Sequence, residues 1–285
     1  MINKHNRIIL LYAIRFYLFI NLIHETTLRK LNLDSEITIV IEGKGTQQIL
    51  STDRDIIHED IDYELPDQIL VNGVLQNYTG KYLYNLTRQT NRITFKWSTQ
   101  IINCNCMFEG LTNIIMVDLT KFDSSKVESF DSFFYNCQNL KSIKISNLNT
   151  SSCRNMAGMF DVCPSLESLD LSSFDTSKVT SMKRMFFGCS SLKSLDLSSF
   201  NISKVKDTSS LFYSCYSLIF LNIINFETSN VSDSSQMFNN VNKNLVYCAD
   251  FTKISKIKSL LSDYTNNCSK TCFTNPKSKI ILDKI

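Results

Sequence analysis

The sequence predicts an α/β fold in which 26-residue units stack into a solenoid with a parallel β-sheet and short helices, preceded by a small strand-rich cap. Three observations predict this class. Phenylalanine recurs every 26 residues, apolar and polar residues alternate after it, and an apolar stripe at helical spacing follows. Stacking is expected because one short unit cannot bury its own apolar face, whereas neighbouring units share a core.

Five columns of apolar residues keep the 26-residue step without insertion. The columns are Phe108, Phe134, Phe160, Phe186, Phe212, Phe238; Ile114, Leu140, Leu166, Leu192, Leu218; Val117, Ile143, Leu169, Leu195, Leu221; Leu119, Ile145, Leu171, Leu197, Ile223; and Phe122, Leu148, Phe174, Phe200, Phe226. Together they spell L-x-x-L-x-L-x-x-F, and a period of 26 is typical of leucine-rich-repeat-like solenoids. We therefore predict five full repeats plus partial copies at both edges.

One unit illustrates the expected local structure. In "LESLDLS", Leu169 and Leu171 face inward and Asp170 faces outward, which is the alternation of a strand with one wet face. The next segment, "FDTSKVTSMKRMF", begins with the helix-capping residue types of 175–177. Its apolar residues follow at helical spacing: Val179, Met182, Met185 and Phe186. The unit is thus predicted to be strand, turn and short helix.

The chain divides into four predicted regions. Residues 1–27 are basic and then apolar, which indicates a signal peptide or signal anchor, with a buried first helix as the alternative. Residues 34–103 are a strand-rich cap that would cover the open first edge of the sheet. Residues 104–248 form the solenoid, and residues 249–285 form a C-terminal cap and a cysteine-containing tail.

Charge and histidine content exclude several functions. A formal net charge of +3 without a basic run does not indicate nucleic acid. The three histidines are His5, His24 and His58, so general bases and metal ligands are scarce. We find no nucleophile with a histidine partner, no phosphate loop and no metal-ligand spacing. The expectation is a protein that is not an enzyme, with no cofactor, no metal and no small-molecule substrate.

A binding surface is expected on the outward face of the sheet, because stacked repeats use such long, rigid surfaces. The candidate ligand face consists of Asp118, Lys144, Asp170, Asp196, Asn222, Ser168, Ser194 and Phe220. Two carboxylates one rung apart, Asp170 and Asp196, repel unless a cation or Lys144 offsets them. A solvated polar face is favoured over a calcium site, which needs six to eight converging oxygens.

The cysteines suggest two roles. Four lie one per repeat and are expected to be reduced core residues: Cys137, Cys163, Cys189 and Cys215. Cys248, Cys268 and Cys272 near the C-terminus are candidates for an extracellular disulfide. The single tryptophan, Trp97, is expected to seal the join between the strand-rich cap and the first repeat.

The segment "MFDVCPSLESLDLSSFDTSKVTSM" resembles the repeat of BspA-like leucine-rich-repeat surface proteins of bacteria and some protists, over about residues 104–248. This resemblance implies an extracellular or cell-surface solenoid for adhesion or recognition of a protein or glycan ligand, without catalytic residues. Six N-x-S/T sequons are compatible with export. Membrane association would come through the N-terminal segment, and an intracellular protein-protein interaction scaffold is the alternative.

Overall fold

The computed structural model of the protein describes residues 35–51, 64–77, 82–264 and 266–267. The strands are β1 Ser35–Glu42, β2 Gly45–Gln48, β3 Gln68–Val71, β4 Val74–Leu75, β5 Leu83–Leu86, β6 Thr90–Trp97, β7 Ile114–Lys121, β8 Ser142–Lys144, β9 Ser194–Asp196, β10 Phe220–Ile223, β11 Val246–Ala249 and β12 Asn266–Asn267. A 3₁₀-helix covers Lys258–Leu261. The predicted leader, residues 1–27, lies outside the described residues. In the described ranges, no helix has the length and apolarity needed to cross a membrane.

The predicted α/β solenoid with one parallel sheet and short helices is wrong. The described part of the chain has no α-helix, and its strands form three separate sheets. The largest is mixed, in the order β4-β3-β6-β1-β7-β8, with a parallel pair only between β7 and β8. A parallel sheet follows in the order β12-β11-β10-β9, and β2 pairs with β5 antiparallel. Residues 168–170, between β8 and β9 along the chain, form no strand and interrupt the expected sheet.

The predicted helices are replaced by turns, and the hydrogen bonds show why. The N–H groups of Met159 and Asp161 donate to carbonyls three residues earlier. Those of Gly158 and Phe160, between them, donate to the carbonyls of Lys183 and Met185 in the next unit. An α-helix needs every N–H group for its own i−4 carbonyl. The apolar residues therefore face inward from a ribbon of turns whose alternate N–H groups bond to the neighbouring unit.

The 26-residue units lie in register. Parallel bridges join equivalent residues of successive units: Asn103, Ser129, Asn155, Ser181, Asp207 and Asp233. The repeated phenylalanines stack inside the structure, with ring centroids of Phe160 and Phe186 and of Phe186 and Phe212 both 5.9 Å apart. The apolar columns predicted from the period are thus the hydrophobic core.

Both ends of this aromatic stack are covered. At the N-terminal end, Phe95 lies 5.9 Å from Phe108, and Trp97 lies 6.2 Å from Phe122. Trp97 is 1% exposed, so it packs at the join as expected. At the C-terminal end, Tyr264 packs against Phe238 and donates a hydrogen bond from its hydroxyl to the Phe238 carbonyl at 2.9 Å. The stack is therefore sealed by residues from outside the repeats.

The four repeat cysteines are buried and free, which confirms their assignment to the core. Each thiol donates to the carbonyl of a phenylalanine 29 residues earlier; Cys163, for example, donates to Phe134 at 3.1 Å. Burial raises the pKa of Cys215 to about 12. These thiols are hydrogen-bonded core groups, and their raised pKa values make them poor nucleophiles.

Candidate functional site

The predicted ligand face begins at Asp118 on β7. Its Oδ2 accepts a hydrogen bond from Lys144 Nζ at 3.2 Å, and its Oδ1 accepts one from Thr120 Oγ1 at 2.6 Å. Partial burial opposes ionisation, but these hydrogen bonds together hold the pKa of Asp118 below its ordinary value. The β7/β8 pairing places Asp118 directly beside Lys144, as the column predicted.

Asp170 and Asp196 each accept hydrogen bonds from a different neighbouring side chain. Asp170 Oδ1 accepts from the Ser172 hydroxyl at 2.7 Å, and these local bonds lower the pKa of Asp170. Asp196 Oδ1 accepts from the Asn222 side-chain amide at 2.8 Å. Within the described residues, no group of three or more His, Cys, Asp or Glu side chains is placed to hold a metal ion. Each carboxylate is thus stabilised by neighbouring N–H and hydroxyl donors.

The remaining members of the predicted face differ in accessibility. Ser168 is exposed in the rung that forms no strand, and Ser194 lies opposite Phe220 in the parallel sheet. Asn222 is only 1% exposed, so it can orient Asp196 but offers little surface to a ligand. The structure therefore brings Asp118 and Lys144 together, and separately Asp196 and Asn222, with the open rung between the two pairs.

Sequence reasoning missed the extension of this face onto the N-terminal strands. β1 pairs antiparallel with β7, which places Thr38 opposite Asp118 and Glu36 opposite Lys121. A cavity of about 160 Å³ opens on this part of the sheet. We call it the polar pocket, and its lining residues are Glu36, Thr38, Arg92, Asp118, Thr120 and Lys121. No short-range sequence signal reports the register between β1 and β7, which lie about 80 residues apart.

Charges around the polar pocket are partly compensated. Glu36 pairs with Lys121 at 2.7 Å and with Lys96 at 3.6 Å, and the hydrogen bond to Glu36 raises the pKa of Lys121. Lys144 neutralises Asp118. Arg92 is exposed and has no ion pair among the described residues. The pocket region thus has four cations to two carboxylates.

A second surface feature lies on the turn ribbon, where a residue following the core phenylalanine points outward. The rings of Phe187 and Tyr213 stack with centroids 4.7 Å apart and planes within 4°. The guanidinium carbon of Arg184 lies 3.6 Å from the Phe187 ring centroid. We call this row the aromatic strip: Tyr135, Arg184, Phe187, Tyr213 and Tyr216. The aromatic pairs in "FFY" (133–135), "MFF" (185–187) and "LFY" (211–213) are a sequence signal that could have found it; they are spaced by two periods and then one, because the intervening unit reads "MFD" (159–161).

The strip is anchored by an ion pair. Arg184 Nε donates to Asp161 Oδ2 at 2.6 Å, and its terminal nitrogen donates to Oδ1 at 3.2 Å. Two parallel bonds of this kind fix the guanidinium plane. The side chain of Asp161 is 4% exposed, and burial raises its pKa to about 6 against the opposing effect of Arg184. Tyr216, three residues after Tyr213, is 58% exposed.

A family model described as "Mycoplasma protein of unknown function, DUF285" matches residues 81–167, 102–217 and 133–251. The three matches overlap and together cover more than half of the chain, so the protein belongs to this family. The overlaps are those expected when one repeated unit can be aligned in several registers. Neither a curated protein nor a solved structure matches the chain.

Proposed function

We propose that this protein is a non-catalytic, exported surface protein that recognises another macromolecule, as BspA-like surface proteins do. The observation that carries the proposal is the aromatic strip. Tyrosine and arginine are enriched in the few residues that dominate binding energy at protein interfaces. Here they are half-buried or exposed on a backbone whose units are hydrogen-bonded to each other.

The packing of the strip supports recognition. Phe187 is covered on its ring by Arg184 and stacked on Tyr213, so the ring orientations are fixed before a ligand arrives. A preformed surface avoids part of the entropy cost of ordering side chains on binding. The strip therefore offers apolar ring edges and tyrosine hydroxyls in a set geometry.

Cys248 supports the exported location. It is disulfide-bonded, while the seven other described cysteines are free and buried. Disulfides persist in oxidising compartments and are rare in the cytosol. An intracellular scaffold, the alternative function, would leave Cys248 reduced.

The test is expression of the full chain in a secreting eukaryotic host, with N-terminal sequencing and intact mass of the product. Secretion should give a product trimmed near residue 27 with Cys248 in a disulfide. The product is then applied to an array of purified extracellular proteins and glycans. Retention in the cytosol with Met1 intact and ten free thiols would contradict export.

The recognition part of the proposal has its own matched variants. Phe187→Ala with Tyr213→Ala should weaken binding to a protein ligand found on the array at least tenfold. Phe251→Ala is the control, because Phe251 is also half-buried with a cation, Lys258, near its ring. Circular dichroism checks that both proteins fold. If the strip and control variants bound the ligand equally well, the aromatic strip would not be the recognition surface.

A further inference from the structure

The polar pocket on the mixed sheet has a composition that selects its ligand. Its lining contains two threonines and four charged side chains, without an aliphatic or aromatic residue. A protein partner is usually anchored by apolar or aromatic side chains in well-packed pockets. The pocket therefore suits a ligand that is polar throughout.

The charges define the sign of that ligand. Both carboxylates near the pocket are already paired, Glu36 with Lys96 and Lys121, and Asp118 with Lys144. Arg92 is left as an exposed cation with no ion-pair partner in the described ranges. A guanidinium presents several N–H donors in a fork that matches the oxygens of a carboxylate or sulfate. The excess charge is thus positive and is held by the side chain best suited to an oxyanion.

Threonine hydroxyls surround the charged side chains of the polar pocket. The hydroxyls of Thr38 and Thr94 are within 3.0 Å of each other beside the pocket, and Thr120 lies on its rim. Beyond Lys144 comes the rung that forms no strand, in which Ser168 and Asp170 are exposed. A cavity of about 160 Å³ has room for one small anionic group but not for a whole oligosaccharide. Further sugar units would therefore lie outside the pocket.

We propose that the polar pocket binds the carboxylate or sulfate group of an acidic glycan, with Arg92 as the main anion contact and Lys121 as the second. This inference rests on the recognition function proposed above and adds the ligand class. It also assigns a role to Glu36, which holds Lys121 at the pocket through a 2.7 Å ion pair.

The experiment measures binding of the full secreted chain to four probes by isothermal titration calorimetry. The probes are a heparin-derived hexasaccharide, a hyaluronan hexasaccharide, uncharged maltohexaose and a hexa-aspartate peptide. Heparin binding alone would assign a sulfate to the pocket, and binding of both acidic glycans would show that a carboxylate suffices. Binding should weaken as salt is raised from 50 to about 500 mM, because exposed charges are screened.

Variants locate the site. Arg92→Gln should reduce acidic-glycan affinity at least tenfold, and Lys121→Gln severalfold. Arg88→Gln is the matched control, since Arg88 is also exposed but does not line the pocket. Both arginines are at the surface, so the variants should fold, which circular dichroism verifies.

Three results would overturn the pocket proposal: maltohexaose binding as well as the acidic glycans, Arg92→Gln behaving like Arg88→Gln, or hexa-aspartate binding more tightly than either glycan. Failure here is separable from failure of the recognition function. An acidic glycan from the array whose binding depends on Phe187 and Tyr213 but not on Arg92 would keep recognition and reject this pocket.

Discussion

Val162 and Gly188 occupy the same position in successive repeats, and both have left-handed backbone conformations, with φ of 54° and 67°. The residues in this column are Gly110, Asn136, Val162, Gly188, Ser214 and Asn240, all with positive φ. A β-branched residue with positive φ is a conformational outlier. The bond from Val162 N–H to the Phe187 carbonyl, 2.7 Å long, ties the strained residue into the turn ribbon.

Replacement of Val162 should relieve this strain. Asparagine tolerates left-handed backbone and already occupies the column at Asn136 and Asn240. We expect Val162→Asn to raise the free energy of unfolding by roughly 1 kcal/mol, since a left-handed conformation costs an ordinary residue about 1–2 kcal/mol. Urea unfolding followed by circular dichroism measures the change. The reciprocal control, Gly188→Val, should lower stability by a similar amount, and a loss of stability in Val162→Asn would contradict the strain argument.

Threonines in the loops form a second inter-unit ladder that is open to test. Thr176 is 1% exposed, accepts a hydrogen bond from the Asn201 N–H at 2.8 Å and donates to the Asn201 carbonyl at 2.9 Å. Thr176→Val keeps the shape but leaves both backbone groups unpaired, so the free energy of unfolding should fall by about 1–3 kcal/mol.

The control for this change is Thr180→Val in the same unit. Thr180 is exposed, and its hydroxyl donates to the Arg154 carbonyl at 3.1 Å, where water can replace it. Thr180→Val should lower the free energy of unfolding by less than about 0.5 kcal/mol. Urea unfolding of the two variants measures the loss in free energy of unfolding for each. Equal losses would show that the buried hydrogen bonds of Thr176 stabilise the protein no more than the exposed one of Thr180.

The repeat length and core columns were predictable because each core residue recurs at a fixed step and stacks on its own copy, as Phe186 does between Phe160 and Phe212. The helices were not predictable. Val179, Met182 and Met185 have the same spacing on a helix as on a ribbon of i→i−3 turns. What decides between the two is the destination of alternate N–H groups, and those partners lie 25 residues away in another unit.

The repeat period predicts only the part of the candidate site that lies within the repeats. Asp118 and Lys144 are one period apart, so the repeat itself placed them side by side. Arg92 and Thr38 lie outside the repeats and reach Asp118 only through long-range antiparallel pairing of β1 with β6 and β7. The 26-residue period could not predict this pairing, because tertiary contacts set the register of β1 against β6 and β7.

Thiol chemistry should separate the cysteines into two groups. Burial raises the pKa values of the described free thiols, with Cys153 near 12, so little thiolate exists in the folded protein at pH 8. Iodoacetamide at pH 8 should leave them unlabelled in the native protein and label all of them in urea. Cys248 should be labelled only after reduction. Peptide mass mapping identifies each labelled cysteine. Rapid labelling of Cys163 or Cys189 in the native protein would contradict the burial of these thiols in the core.

The Asp161–Arg184 pair should give the protein a specific pH dependence. Burial raises the folded-state pKa of Asp161 from 3.8 to about 6, against the opposing effect of Arg184. Between these two values the folded state binds more protons than the unfolded state, so stability must fall as pH rises. The contribution of this carboxyl is fully present below about pH 4 and is lost as pH passes through 6.

Asp161→Asn removes the titrating group, so urea melts at pH 4, 5, 6 and 7 should show the advantage of the wild-type protein over this variant shrinking as pH rises. Asp170→Asn is the control, because hydrogen bonds from Ser172 lower the pKa of Asp170. That contribution is present above the ordinary pKa and is lost only as pH falls below it, so it stays level between pH 5 and 7. If the wild-type advantage over Asp161→Asn grew with pH instead, the ion pair with Arg184 would outweigh burial, and Asp161 would anchor the aromatic strip as a fully charged carboxylate.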